Sequence, residues 1–278
     1  MLRLLTIELH KLKYNKSAKV ITLVYFILIT FIALIASIEF NFGEFHFRIA
    51  DQGIFNFPFI WHFNTWIAAI LKLFLAIVIV SMMANEYSHR TLKQNLIDGL
   101  SKKEFVLSKF LTVLGFALVS TIFVFIISLI LGLMFSDYNE FGIIFSDIEY
   151  LFAFFIKLLG FFSFCLFLGV LVKRSAFALG FLLIWSIVEK IIYALLKWRI
   201  FKDTDIAENI SQFFPLESMA NLIKEPFTRL GAVQSAASQL GEAFDKDYSV
   251  QPLTVLIVLV WTFLFIYWSY LILKRRDL

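Results

Sequence analysis

Apolar residues fall along this chain in long unbroken runs rather than in alternation. Four runs reach membrane length or near it, at residues 20–38, 110–135, 150–172 and 253–273, the third interrupted only by Lys157. Two others contain charge: 66–84 carries Lys72, and 176–196 carries Glu189 and Lys190. About 20 apolar residues in helical form cross the hydrocarbon of a bilayer, whereas the strands of a membrane barrel run to about 10 residues and change polarity at every second position. The pattern predicts six transmembrane helices, hence an all-α integral membrane protein.

The polar stretches between the runs have a period of their own. Before the first run, Leu2, Leu5, Leu9 and Leu12 recur at three- and four-residue spacing beside Arg3, Lys11, Lys13 and Lys16. That spacing predicts an amphipathic helix over 2–16 lying along the membrane surface. Residues 86–109 suffice for several helical turns and place Leu92, Leu96 and Leu100 four apart, on one helical face. We read this segment as a docking helix with the three leucines as its contact face. Residues 197–250 hold two more helix-like stretches. The first carries Ile206, Ile210, Phe213 and Met219 and is interrupted at Pro215; the second opens at Pro226 and carries Leu230, Val233, Ala237, Leu240 and Phe244. Both are expected to rest on the membrane face or on a partner subunit. No repeat or linker divides the chain, so one domain, 1–278, is expected.

Composition agrees with a lipid environment: 60% of residues are hydrophobic, 35 are phenylalanine, and mean hydropathy is +0.85. The first run is expected to remain in the mature chain, because five basic residues precede it, it exceeds a signal-peptide core in length, and no A-x-A site follows. Lysine and arginine divide unevenly across the six spans. Fifteen lie on the side that includes both termini and 86–109, and seven on the other. The loop 136–149 holds Asp137, Glu140, Asp147 and Glu149 without a single base. The positive-inside rule then predicts a cell (inner) membrane protein with both termini and 86–109 in the cytoplasm, and with 197–250 outside. Topology and contact with anionic lipid account for the net charge of +4, so no nucleic-acid partner is expected.

Catalytic chemistry has no visible foothold. His10, His46, His62 and His89 are scattered without metal-ligand spacing, Cys165 stands alone within a span, and no residue is assigned a catalytic or metal role. The intramembrane charges Lys72, Lys157, Glu189 and Lys190 lie some 10–15 Å from the outer ends of their spans, at about 1.5 Å per residue. They suit two uses. They can line a translocation path that holds an amphiphilic or charged substrate, or they can be structural, with lysines snorkelling and Glu189 paired to Lys157 or Lys72. The structural use is favoured, since lysine snorkels readily over such depths. A secondary transporter or channel working without ATP would instead titrate Glu189, with Lys72 or Lys157 setting its charge.

The whole layout resembles the permease subunit of a type-2 ATP-binding-cassette exporter. Glu8-Leu9-His10-Lys11-Leu12 is similar to the Glu-Leu-x-Lys-Leu run with which many such permeases open. Glu86, Thr91, Leu92, Leu100, Ser101, Lys102 and Lys109 match the family's loop pattern, and Phe214-Pro215-Leu216 resembles its proline-centred segment after span five. Arg90 departs from it, standing where the family more often has glycine, and arginine suits a helix better than glycine does. The resemblance implies that 86–105 is a coupling helix, with Glu86, Arg90, Thr91, Leu92, Leu96, Leu100, Ser101 and Lys102 at the ATPase contact. It also implies a homodimer or a sibling pair bound to two copies of a cytoplasmic ATPase. ATP and Mg would bind on that partner, for G-x-x-x-x-G-K-[ST] occurs nowhere in this sequence.

Overall fold

A computed structural model describes residues 2–42, 45–48, 53–202, 206–239 and 246–276. Six helices in it are long and apolar enough to cross a membrane. They are α2 (Lys16–Ser37), α3 (Phe59–Ser88), α5 (Lys102–Phe135), α7 (Glu149–Val172), α8 (Ser175–Leu195) and α12 (Pro252–Arg275). The shorter elements are α1 (Leu2–Tyr14), α4 (Thr91–Ile97), α6 (Phe141–Ile144), α9 (Ile206–Ser211), α10 (Pro215–Asn221) and α11 (Gly231–Gln239). Leu240 and Phe244 lie outside the described residues.

The fold is helical as the apolar runs require, and each departure from the expected bounds has a local cause. The third helix starts at Phe59 rather than near 66 because His62 and Asn64, which interrupt the apolar run, are satisfied inside the protein. His62 Nε2 lies 2.9 Å from the Lys224 carbonyl oxygen, and Asn64 donates to Ser128 at 2.9 Å. The fifth helix starts at Lys102 because Ser101 and Glu104 form a capping box, each side chain bonding the other's backbone N–H. Between α2 and α3 runs a two-stranded antiparallel hairpin, β1 (Glu39–Phe42) with β2 (Phe45–Arg48), pairing Phe40 with Phe47. It follows the alternation Phe40, Phe42 and Phe45, Phe47, a period-two signal too short to stand out beside the apolar runs.

The centre of the bundle is α7. Of its apolar stretch 78% is buried, against 17% for α2 and 11% for α8, so α7 is a core helix and those two are peripheral. Glycine lets α7 approach α3: a Cβ on Gly169 would meet Met83 Cβ at 2.8 Å. The basic termini of several elements gather at one end of the bundle, here called the basic end. Lys102 donates to the carbonyls of Lys274 (3.3 Å) and Arg276 (2.8 Å). Arg276 in turn donates to the Tyr87 hydroxyl (3.0 Å) and to the carbonyls of Val170 (2.7 Å) and Leu171 (3.0 Å). Those carbonyls belong to the last turn of α7 and have no partner within the helix, so a cation there is doubly favourable.

Candidate functional site

At the basic end a cluster of four charges joins the segments that the sequence singled out. Lys109 is fully buried, at 0% exposure, and lies about 10 Å along α5 from its start. Its Nζ donates to Glu8 Oε2 at 2.7 Å and to Glu86 Oε1 at 2.5 Å, with those two residues 2% and 3% exposed. Lys11, at the rim, donates to Glu86 Oε1 at 2.8 Å and stands 3.6 Å from Glu8. The other Glu86 oxygen accepts from Thr91 Oγ1 at 2.6 Å and from Asn95 at 3.4 Å. Two carboxylates and two ammonium groups balance, which is what makes their burial tolerable. Four elements meet there: α1 through Glu8 and Lys11, α3 through Glu86, α4 through Thr91 and Asn95, and α5 through Lys109.

The arrangement follows from local sequence. Glu8 and Lys11 are three apart and so share a face of α1, and that face turns inward. Leu5, Leu9 and Leu12 share another face and, with Phe26 and Phe116, line an apolar groove of about 640 Å3. The helix expected over 2–16 stops at Tyr14, because Asn15 accepts from the Ala18 N–H and caps α2. Nothing is described of the Leu2 side chain.

The docking segment differs from its expectation in two ways. It is no single lever: α3 continues to Ser88, α5 begins at Lys102, and seven-residue α4 lies between them. Its leucines also point the other way. Leu92 is 3% exposed and belongs to the core, Leu96 is half-buried, and Leu100 packs against that core. The leucine period marks contact with the bundle, which makes the face toward solvent Arg90, Lys93, Gln94 and Ile97, the last 70% exposed. Ser101 and Lys102 serve as a helix cap and as the strap to the α12 end.

Arg90 is not helical. Its φ of 55° places it in the left-handed region between α3 and α4, a conformation that costs a residue with a Cβ roughly 1–2 kcal/mol. Glycine, which has no Cβ, is the relaxed choice there, and helix propensity is the wrong criterion for this position. Arg90→Gly is expected to leave stability unchanged or to raise it by about 1 kcal/mol, read as an equal or higher thermal unfolding midpoint.

The intramembrane charges lie toward the opposite end and are not paired with one another as expected. Glu189 accepts from the backbone N–H groups of Leu216 (3.0 Å) and Glu217 (2.9 Å) and from Trp185 Nε1 (2.6 Å). Lys157 donates to the carbonyls of Ala220 (3.3 Å) and Ile223 (3.4 Å). A carboxylate at the N-terminus of α10 and an ammonium at its C-terminus both complement the helix dipole. The proline-centred segment after span five is therefore clamped at both ends and drawn into the bundle, not laid on its surface. Trp261 adds a tie from α12, donating to the Phe213 carbonyl at 2.9 Å. An ATP-independent carrier of the kind outlined from the sequence needs Glu189 facing Lys72 or Lys157, and Glu189 faces α10 instead. Lys190 is exposed, and Lys72 Nζ lies 4.7 Å from the centroid of the Phe161 ring.

Sequence reasoning treated Lys11 and Arg276 as topology determinants and missed them as fasteners. Their spacing to Glu8 and to the α7 carbonyls becomes apparent only in three dimensions. His62 was likewise given no role. It stacks on Tyr150 with centroids 4.2 Å apart; Nε2 donates to the Lys224 carbonyl, leaving Nδ1 to accept from Arg229 at 3.0 Å. No group of three or more potential metal ligands occurs among the described residues.

Six spanning helices, one of them the buried central α7, with short helices strapped to the span ends, define a multi-pass membrane protein. Residues 50–272 match the family described as ABC-2 family transporter protein, and the chain belongs to that family. Membership makes it a transport component and implies association with an ATP-binding-cassette ATPase. No curated protein matches the chain.

Proposed function

We propose that the chain is the membrane subunit of an ATP-driven exporter, receiving the motion of its ATPase at the basic end. Two permease protomers, in a homodimer, bind two copies of a cytoplasmic ATPase, which holds ATP and Mg. The basic end faces the cytoplasm, in keeping with its excess of lysine and arginine. The ATPase bears on the exposed Arg90, Lys93, Gln94 and Ile97 side of α4. The peripheral helices α2 and α8, the least buried of the spans, face a second protomer or lipid.

One observation carries this reading: Lys109 joins Glu8 to Glu86 in a buried contact at the point where α4 meets the spans. Force applied to a surface helix moves a span only if the joint between them does not yield. A loop held by solvent-exposed charges would yield, since exposed ion pairs contribute about 0–1 kcal/mol. A buried charge cluster has few alternative arrangements of low energy and moves as a body.

The test is to introduce Lys93→Cys on the exposed face, attach a short photoactivatable cross-linker in intact cells, and purify the full chain. Capture of a soluble ATPase bearing a Walker motif is expected, which would also place this end in the cytoplasm. Absence of any such ATPase, with the tagged chain intact, contradicts the proposal.

A further inference from the structure

Near the opposite end a cavity of about 440 Å3 opens between α3, α7 and the segment after α10, with Trp66, Ile70, Lys72, Lys157, Lys224 and Lys246 on its wall. Glu225 is the one carboxylate among the lining residues, beside four lysines. The outer part of the wall is near neutrality. Lys246 donates to Glu225 Oε1 at 2.8 Å, and Thr228 Oγ1 donates to the same oxygen at 2.8 Å. Partial burial alone would raise the Glu225 carboxyl, but those bonds outweigh it and hold the group below its usual value. Lys224 donates to the Asp247 carbonyl at 2.5 Å and lies in the field of the Asp247 carboxylate.

The inner part holds two lysine amines and, among the described residues, no carboxylate. Lys157 meets two carbonyl oxygens, and Lys72 meets an aromatic ring. Dipoles and a ring quadrupole orient a cation without cancelling its charge, and among the described residues neither lysine has an ion-pair partner. Ionisable residues within a span that face a cavity mark a ligand path, with backbone carbonyls among their usual partners. On α3, Lys72 is two residues from Ile70, which is exposed at the mouth beside Trp66. Two lysine amines thus share one cavity wall with apolar Trp66 and Ile70.

We propose that this cavity binds an amphiphile through an anionic phosphate headgroup, with Lys72 and Lys157 facing the phosphate and the tail leaving past Trp66 and Ile70. The volume accepts a headgroup and excludes the chains, which places the tail outside. A free phosphate ion would use the same lysines but gain nothing from Trp66 or Ile70. This site needs neither ATP nor a partner subunit, so its failure leaves the ATP-driven reading standing.

The test uses the purified full chain in neutral detergent and phosphatidylglycerol with bromine-labelled tails, whose binding quenches tryptophan. The Trp66-dependent part of the quenching, the difference between the parent and Trp66→Phe, is expected to saturate and to be half-maximal at a lower lipid fraction than with bromine-labelled phosphatidylcholine. In Lys72→Met the half-saturating fraction should rise about tenfold, the loss of one charge-assisted contact. Should that variant not purify as a monodisperse species, Lys72→Gln serves instead with the same expectation. Millimolar inorganic phosphate should leave the quenching in place. Equal saturation in the Lys72 variant, or full displacement by inorganic phosphate, overturns the proposal.

Discussion

Replacing Lys109 with methionine is expected to lower stability by about 3–5 kcal/mol, the range for removing one partner of a buried ion pair. The loss exceeds that of the contact itself. Glu8 and Glu86 both point at Lys109 Nζ, so the substitution leaves two buried carboxylates answered only by the half-exposed Lys11. For a chain of this size the thermal midpoint should fall on the order of 10 °C. The double variant Glu8→Gln, Lys109→Met restores neutrality, because Glu86 keeps Lys11, and should recover at least half of the loss. Recovery of stability need not restore transport. In the double variant α1 is no longer tied to α5 by charge, so a stable protein with impaired transport is the expected combination. A Lys109→Met variant as stable as the parent contradicts the geometry.

The second large effect concerns α10. Glu189→Ala removes the acceptor for two backbone N–H groups and for Trp185, and each buried donor left unsatisfied costs about 1–3 kcal/mol. Lys157→Met removes the donor at the other end of the same helix. Each single change should loosen the segment 206–230 and raise its rate of proteolysis in detergent about tenfold or more, by the same free energies. Since the two residues hold different ends of α10, the double variant should be no more resistant than the weaker single. Recovery in the double would show that Glu189 and Lys157 form a pair, against the structure.

Much of this architecture is legible in the sequence because the bilayer imposes a length. The number of spans follows from hydrophobicity alone, and in α7 the helix Glu149–Val172 runs over the apolar stretch 150–172. They fail where polar residues find partners far along the chain. His62 reads as a break until Lys224, 162 positions away, supplies an acceptor. Helix ends governed by caps were readable in principle: Ser101 and Glu104 carry the capping-box spacing, which would have started α5 at the right place.

Orientation about a helix axis was harder. A leucine repeat states that a face is apolar and not what covers it, and Leu92 is covered by its own bundle. Charged positions showed the same ambiguity. Glu8 lies in one family motif and Glu86 and Lys109 in another, but one-dimensional spacing does not reveal that residues up to 101 positions apart meet at one ammonium group. At Arg90, propensity pointed to helix while the backbone required a left-handed residue.

Ile97 offers the most direct measurement on the central proposal, that the outward face of α4 receives the ATPase while the buried cluster holds that helix to the spans. It is 70% exposed, so a charge there disturbs no packing within the chain. The full chain carrying Ile97→Glu, expressed with its ATPase and purified in mild detergent, should keep its thermal midpoint and lose ATPase binding by roughly thirty-fold, the effect of removing a contact of about 2 kcal/mol at an interface centre. ATPase bound to the variant as tightly as to the parent would contradict docking on this face.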